Sequence, residues 1–373
     1  MVRERGLQDM ATGKRWHTRC EGAVVRVRAG LPGKEKDSEK PQADAAAAVA
    51  WAQKEEWARL KKGFVLVDAT AKAGSPRMHR HVGGGYTGAL LATDVGGRLL
   101  SNRSSEDGDT LLLLDGEAQL TVEAPAPAGH LVWDAVDAPV LGRVLLSIDH
   151  RLYAWSPAAP ADFEPLAAGN RSAASFLSVA GTRVAGIDAT DLVVRDLASD
   201  RELFRRLMAP QLYGGHTPQM AGALSARGLL AWCTQAGEVQ FFDLAASAER
   251  PAWRGGFEMI DTLRFTPDGR HLLAQERYGG WTLLCFDTET GAPRGGWPAF
   301  GDLSNGDFAL DPSGRRMAVA HGGHVEVFDF ATMKRLLRFP VEHVVRRCRI
   351  AWVGDDTLGV RTDYGCASLY AVN

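Results

Sequence analysis

From Gly63 to the end of the chain, apolar and polar residues alternate with a period of two, the signature of strands that bury one face. The clearest stretch is 259–339, where the chain repeats itself. Leu263-Arg264-Phe265, a Thr266-Pro267-Asp268-Gly269 turn, Leu272-Leu273-Ala274 and Leu283-Leu284-Cys285-Phe286-Asp287 return as Phe308-Ala309-Leu310, Asp311-Pro312-Ser313-Gly314, Met317-Ala318-Val319-Ala320 and Val325-Glu326-Val327-Phe328-Asp329. Each copy predicts three antiparallel strands joined by tight turns. The ends of the third strands align at Asp115, Trp155, Asp196, Asp243, Asp287, Asp329 and Tyr370, spaced 40 to 47 residues apart. That spacing is the period of a propeller blade, and it predicts seven units over 86–373. The last unit holds three strands, so one sheet edge needs cover from elsewhere. The strand at 64–70 is the expected donor; the alternative, that it completes a sheet formed by the residues before it, stays open.

The first sixty residues follow another pattern. Trp16-His17-Thr18-Arg19-Cys20 and Val24-Val25-Arg26-Val27-Arg28 predict a hairpin turning at Glu21-Gly22, and 34–42 reads as a polar loop. Asp44 is placed to cap an alanine-rich helix running through Lys62, with Val49, Ala50, Gln53, Trp57 and Leu60 on one face and Gly63 ending it. Beyond 64–70, residues 72–86 read as a polar, glycine-rich crossing that contains His79-Arg80-His81.

Trp16 in an opening strand, Arg28-Ala29-Gly30-Leu31-Pro32-Gly33, and a helix ending in Lys61-Lys62-Gly63-Phe64 resemble the WGR domain over about residues 12–66. Arg26-Val27 stands where that family carries its Trp-Gly, so of the name-giving positions only Arg28 is retained. The resemblance implies a small α+β domain at 1–63. Because family members grip DNA ends, it also makes Arg26, Arg28, Lys34 and Lys36 candidate nucleic-acid contacts. Over 64–373 the Pro-Asp-Gly and Pro-Ser-Gly turns and the Phe-Asp strand ends resemble a degenerate WD-repeat propeller without its Gly-His openings or true Trp-Asp dipeptides. Richness in Ala, Gly and Arg fits a bacterial source. The expected architecture is therefore mainly β: a seven-bladed β-propeller preceded by a small α+β WGR-like domain.

Composition narrows the function classes. No run of eighteen apolar residues occurs, so no membrane-spanning helix is expected and the cytoplasm is the expected compartment. Five cysteines, odd in number and without a Cys-x-x-Cys pair, fit reduced core thiols better than disulfides or a zinc site. The net charge of −2 conceals an asymmetry: residues 1–63 carry 14 Lys/Arg against 9 Asp/Glu, a basic head on an acidic body. Gly83-Gly84-Gly85 lacks the flanking strand, helix and Lys-Ser/Thr of a phosphate loop, and no Gly-x-Ser-x-Gly or His-Glu-x-x-His occurs. His17, His79, His81, His216, His321, His324 and His343 are expected as exposed loop side chains, so no catalytic residue, metal or cofactor is assigned. The aspartates that recur at strand ends are expected to cap turns. Trp253 and Trp297, in connections between units, are candidate anchors for a partner protein or plugs between blades, while Trp133, Trp155, Trp232, Trp281 and Trp352 are expected to pack between sheets. The first functional reading is a non-enzymatic protein-interaction scaffold or adaptor. The alternatives are a nucleic-acid-binding component working through the head, and a propeller enzyme, hydrolase or lyase, with a site in the central funnel.

Overall fold

The computed structural model describes the chain except for residues 1–2, 85–89, 128–129, 150, 167–176, 189–190, 208–210, 214–216, 220, 236, 255–258, 277–279 and 302, and the side chains of 211–213, 217–219 and 234–235. Tyr86, where the first unit was expected to begin, and His216 fall outside the described residues.

Six sheets stand as separate blades. Residues 93–125, 132–165, 178–207, 221–254 and 307–340 each supply four antiparallel strands, and 260–287 supply three. Their first strands, Thr93–Val95, Val132–Ala138, Ser178–Ala180, Ala221–Leu224, Ile260–Phe265 and Asp307–Leu310, take the innermost positions, and from the first blade to the fifth each packs against the next. A two-stranded ribbon, Gln211–Tyr213 with Thr217–Gln219, leaves the ring between the third and fourth blades.

The position between the sixth blade and the first is filled by a nine-stranded sheet built from both ends of the chain. Its N-terminal strands are β1 (Arg3–Asp9), β2 (Arg15–Glu21), β3 (Val24–Gly30), β4 (Lys36–Pro41), β5 (Phe64–Val67) and β6 (Pro76–His81); its C-terminal strands are β7 (Cys348–Val353), β8 (Thr357–Thr362) and β9 (Cys366–Ala371). Their order across the sheet is β7-β8-β9-β6-β5-β1-β2-β3-β4. β7 takes the axial position, bonded through Ile350 N to Asp307 Oδ2 (2.9 Å) and through the Trp352 indole to Ala309 O (3.2 Å).

Three expectations are corrected here. The fold has six free-standing blades, not seven, because the strands of the last unit continue without a break into the N-terminal sheet. No separate α+β domain of WGR type exists either. The helix α1 (Ala45–Leu60) lies on the same sheet, and its core, with Leu7, Trp16, Cys20, Val25, Ala48, Ala52, Trp57, Leu60 and Leu66, includes Cys366 of β9. Third, of the two roles left open for 64–70 the pairing matches the second: β5 joins the N-terminal sheet beside β1, and the strand that covers β9 is β6, in the register Cys366↔His81, Ser368↔His79, Leu369↔Met78. Both β6 and β4 come from stretches read as loops. They carry too little apolar alternation to reveal themselves, and each exists because a neighbouring edge offers it a full ladder of hydrogen bonds. All six residues of β4 are exposed, and its charged sequence Lys36-Asp37-Ser38-Glu39-Lys40 leaves the outer edge of the sheet unattractive to further strands.

Helix α1 begins as expected, with Asp44 Oδ1 accepting from Ala47 N at 2.7 Å. Its buried face keeps Trp57 and Leu60 as expected, with Val49 at its margin, but is turned toward Ala48, Ala52 and Glu56, spaced by four, leaving Ala50 and Gln53 exposed.

Between blades, arginines act as staples because a guanidinium can donate to several carbonyls at once. Arg183 reaches Ala226 O (3.3 Å), Arg294 reaches Ala331 O (2.8 Å), Arg195 reaches Leu166 O (3.0 Å), and Arg264 donates to Phe308 O. Within blades the strand-end aspartates cap turns as expected: Asp287 Oδ1 accepts from Thr290 N at 2.8 Å, and Asp329 Oδ1 from Thr332 N at 2.8 Å. All five cysteines are free and buried. Trp155, Trp232 and Trp352 are core residues, whereas Trp133 is 41% exposed.

The Pro-Asp-Gly turn of the fifth blade closes through Gly269 N to Thr266 O (2.8 Å), with Gly269 at φ +68°. A Cβ there would stand 3.2 Å from the Arg227 side chain. Gly269→Val therefore combines a left-handed backbone with a β-branched side chain, and it should cost about 2 kcal/mol. An unchanged melting temperature in a thermal-denaturation comparison would contradict this.

Candidate functional site: a buried seam and the channel mouth

Where the two ends of the chain meet, five elements bring ionisable side chains into one buried cluster. β1 contributes Arg3 and Arg5, α1 contributes Glu56, β6 contributes His79, the connection into β7 contributes Glu342 and His343, and β9 contributes Ser368 and Tyr370. Alternation along β1 sends Arg3 and Arg5 to the same face as Leu7, under the helix. The four-residue spacing that buries Ala48 and Ala52 carries Glu56 in with them.

The contacts are specific. Arg3 Nη2 donates to Glu56 Oε2 at 2.6 Å and lies 3.5 Å from Glu342 Oε2; Arg5 Nη2 donates to Glu342 Oε1 at 3.1 Å. His343 Nε2 is 3.1 Å from Glu56 Oε1, and His79 Nε2 is 3.1 Å from Glu342 Oε2. The other nitrogen of His79 meets the Ser368 hydroxyl at 2.7 Å, and Tyr370 Oη accepts from Glu342 N at 2.9 Å. Trp57 covers the cluster, stacked on His343 at 5.0 Å and on Tyr364 at 4.4 Å.

Two full negative charges are balanced by two full positive ones, which is what lets the group stay buried. Burial alone would push the carboxyls of Glu56 and Glu342 up. The His343 bond and the Arg3 charge outweigh it at Glu56, and the His79 bond with Arg5 and Arg3 outweighs it at Glu342, so both stay ionised below the usual carboxylate range. Burial drives the His79 imidazole down, keeping it neutral. Removing one partner of such a buried cluster typically costs about 3–5 kcal/mol.

This places three histidines otherwise than expected. His79 is a fully buried strand residue, His81 ends the same strand half-buried against Trp57, and the His343 side chain is 5% exposed, so none of them is an exposed loop side chain. His321 and His324 do flank a hairpin turn, at Gly322 and Gly323. The sequence offered no local sign of the cluster, since its contacts join residues 28 to 339 positions apart.

The residues singled out from sequence lie apart from this seam: the four basic ones sit together on or beside the paired strands β3 and β4, far in sequence from the two tryptophans. Arg26 on β3 is 3.4 Å from both Glu21 and Glu39, and Arg28 is 3.9 Å from Glu35. Lys36 begins β4 and Lys34 precedes it, both exposed. Trp253 lies in the outer strand of the fourth blade, Ala248–Arg254, and not in a connection as expected; it is partly buried between Phe241 (4.3 Å) and Phe286 (5.1 Å), spanning the fourth and fifth blades. Trp297 is also partly buried, and its indole donates to Leu283 O at 2.6 Å.

A second charged group lies at the mouth of the axial channel, where the innermost strands begin. Asp307 accepts there from Arg264 (3.5 Å) and Arg349 (3.4 Å), and Asp134 and Asp261 belong to the same field. Burial pushes the Asp134 carboxyl up to about 6; Arg264 and Arg349 pull it down and Asp307 adds to the rise.

No protein-family model matches the chain, nor does any curated protein. Among solved structures it is similar to the β-propeller domain of Cps50 (Swd1) from Myceliophteria thermophila, with a TM-score of 0.57 and 14% identity over 78% of this chain and 97% of that one. It is also similar to a chain in the crystal structure of the mitotic checkpoint complex, with a TM-score of 0.61 and 11% identity over 82% of this chain and 98% of that one. At such identities the likeness shows the fold alone: a β-propeller. Neither likeness supports a WGR-like head or a bacterial origin. Among the described residues no helix is long and apolar enough to cross a membrane.

The Asp134 carboxyl titrates higher in the folded chain, at about 6, than its ordinary value of 3.8. Folding therefore favours its protonated form. That contribution is fully present below about pH 3.8 and is lost as pH rises through about 6. Asp134→Asn should raise stability at pH 7.5 by up to about 2 kcal/mol and leave it nearly unchanged at pH 4. Denaturant unfolding at the two pH values checks this, and an equal effect at both would contradict it.

Proposed function

We propose that the chain is a non-enzymatic protein-interaction scaffold that receives a partner protein on the face where the innermost strands begin. The observation that carries this reading is the exposure of large apolar side chains on that face. Trp133, 41% exposed, is the second residue of an axial strand; Val345, 53% exposed, lies in the connection entering β7; Tyr364, 45% exposed, lies in the turn between β8 and β9, which returns to the same face. Leu207, 75% exposed, ends an outer strand that runs toward that face too. Exposed Arg346 and Arg347 adjoin Val345. Aromatic and arginine side chains around an apolar centre are the residue types that dominate protein interfaces. The likeness to propellers, one of them from a multi-protein complex, agrees with this choice.

Trp253 and Trp297 are proposed in a supporting role, holding neighbouring blades in register. The nucleic-acid reading is not favoured: Arg26 and Arg28 direct their charge at Glu21, Glu39 and Glu35, so little remains for a phosphate backbone. The enzyme reading, hydrolase or lyase, has no residue assigned to it.

The test is affinity purification with quantitative mass spectrometry from cells of the native source, comparing the wild type with Trp133→Ala, Val345→Asp and Trp253→Ala. Trp133→Ala and Val345→Asp should lose the co-purifying protein with melting temperature unchanged. Trp253→Ala should instead lower the melting temperature, since it empties an aromatic contact between blades. Full retention of the partner by both face variants would overturn the assignment of this face.

A further inference from the structure

We propose that Glu56, His79, Glu342 and His343 form a site for one borderline divalent metal ion such as Zn²⁺, Co²⁺ or Ni²⁺, and that the Arg3 guanidinium occupies it as a built-in competitor. The inference does not depend on the scaffold reading.

Each of the four residues offers one ligand atom, and these atoms all lie within 4.8 Å of one another. Around an ion with bonds of about 2.1 Å, neighbouring ligand atoms stand about 3–3.5 Å apart. The pairs His343–Glu56 and His79–Glu342, each at 3.1 Å, already have that spacing. A second, independent observation is the treatment of the outer atoms. Arg3 holds Glu56 Oε2, Arg5 holds Glu342 Oε1, and Ser368 Oγ meets His79 Nδ1. In the metal-free chain the neutral His79 donates Nε2–H to Glu342 and accepts from Ser368 through Nδ1; an ion would require the other tautomer, with Nδ1–H donating to Ser368 Oγ and the Nε2 lone pair on the metal, and Ser368 can serve either way. Two imidazoles and two carboxylates suit Zn²⁺, Co²⁺ or Ni²⁺ better than Ca²⁺ or Mg²⁺, which prefer oxygen ligands alone.

Charge decides how the site works. An ion added beside both arginines would meet strong repulsion: a divalent charge about 5 Å from a guanidinium is opposed by roughly 6–7 kcal/mol at an effective dielectric of about 20. The two arginines are not equivalent. Arg5 reaches one of the two carboxylates, at the outer oxygen of Glu342, and otherwise donates to Glu4 O, whereas Arg3 Nη2 reaches both carboxylates, at 2.6 and 3.5 Å, and so bridges them as a metal ion would. Arg3 opens the first strand, and its side chain is 11% exposed, so it has a path to solvent. Exchanging it for a divalent ion changes the buried charge by one unit, where simple addition changes it by two. Metal binding and Arg3 docking are thus mutually exclusive, and occupancy of the seam couples metal availability to how the first strand is held.

The experiment is a Co²⁺ titration of the full chain followed by visible absorption, with folding checked by thermal melts, for the wild type, Arg3→Ala and the double variant Arg3→Ala/His343→Ala. Arg3→Met, which keeps the aliphatic stem, takes the place of Arg3→Ala should the latter be unfolded. Arg3→Ala should bind one Co²⁺ per chain with d–d bands of nitrogen and oxygen ligation, about tenfold or more tighter than the wild type, and the double variant should lose the bands. Absence of saturable binding in Arg3→Ala, or bands that persist in the double variant, would overturn the site. Equal affinity in the wild type and Arg3→Ala would overturn the competitor role of Arg3.

Discussion

A ring of sheets fails at one place: the last strand of the last sheet. β9 would otherwise present a bare row of backbone donors and acceptors, and its pairing with β6 is the interaction on which the rest of the molecule depends. Once β6 is in place, β5 and β1 to β4 extend the same ladder, so residues 3–81 become part of the ring. The helix then has one sheet face to cover, and it does so with Ala48, Ala52, Trp57 and Leu60. Closure by a strand from the other terminus joins the two ends of the chain, and it gathers Arg3, Arg5, Glu56, His79, Glu342 and His343 where they meet.

The cluster at that junction shows why burial of charge need not be ruinous. Glu342 takes a guanidinium on one oxygen and an imidazole on the other, while its backbone N–H reaches Tyr370. Each partner comes from a different element, so the network is complete only when β1, β6, the connection into β7 and β9 are all assembled. A buried group of this kind adds little over an apolar core in net stability, but it penalises every arrangement that leaves one member unpaired. The seam thereby favours a single alignment of the two termini.

The sequence showed the blades where local patterning and burial agree. Leu263-Arg264-Phe265, Leu272-Leu273-Ala274 and their copies at 308–320 alternate because one face of each strand meets a neighbouring blade, and Gly269 and Gly314 mark turns that need positive φ. It could not show that the last unit merges into a larger sheet, because spacing counts units without saying where a sheet ends. β6 and β4 were missed for one shared reason: Pro-Arg-Met-His-Arg-His and Lys-Asp-Ser-Glu-Lys-Pro become strands through edge pairing, with little help from side-chain patterning. The WGR-like motifs were read as a domain of their own, yet Trp16 is buried under α1 with Arg59 over its ring at 4.3 Å, in a core shared with β9. Within the seam, Glu56 was not among the helix residues singled out, and the histidines were expected as exposed loop side chains. Nothing local marks a buried charge whose partners lie hundreds of residues away.

The central claim is that the two termini fold as one sheet. Hydrogen exchange followed by mass spectrometry measures it directly, because backbone amides in one cooperative unit open together. The account predicts that amides of β1 and β5 exchange at the same slow, global rate as those of β6, β8 and β9, and that they lose protection together as denaturant is raised. If β1 to β5 and the helix instead exchange early, as a separate unit, while β6 to β9 remain protected, the N-terminal segment is an independent attachment and the continuous-sheet account is contradicted.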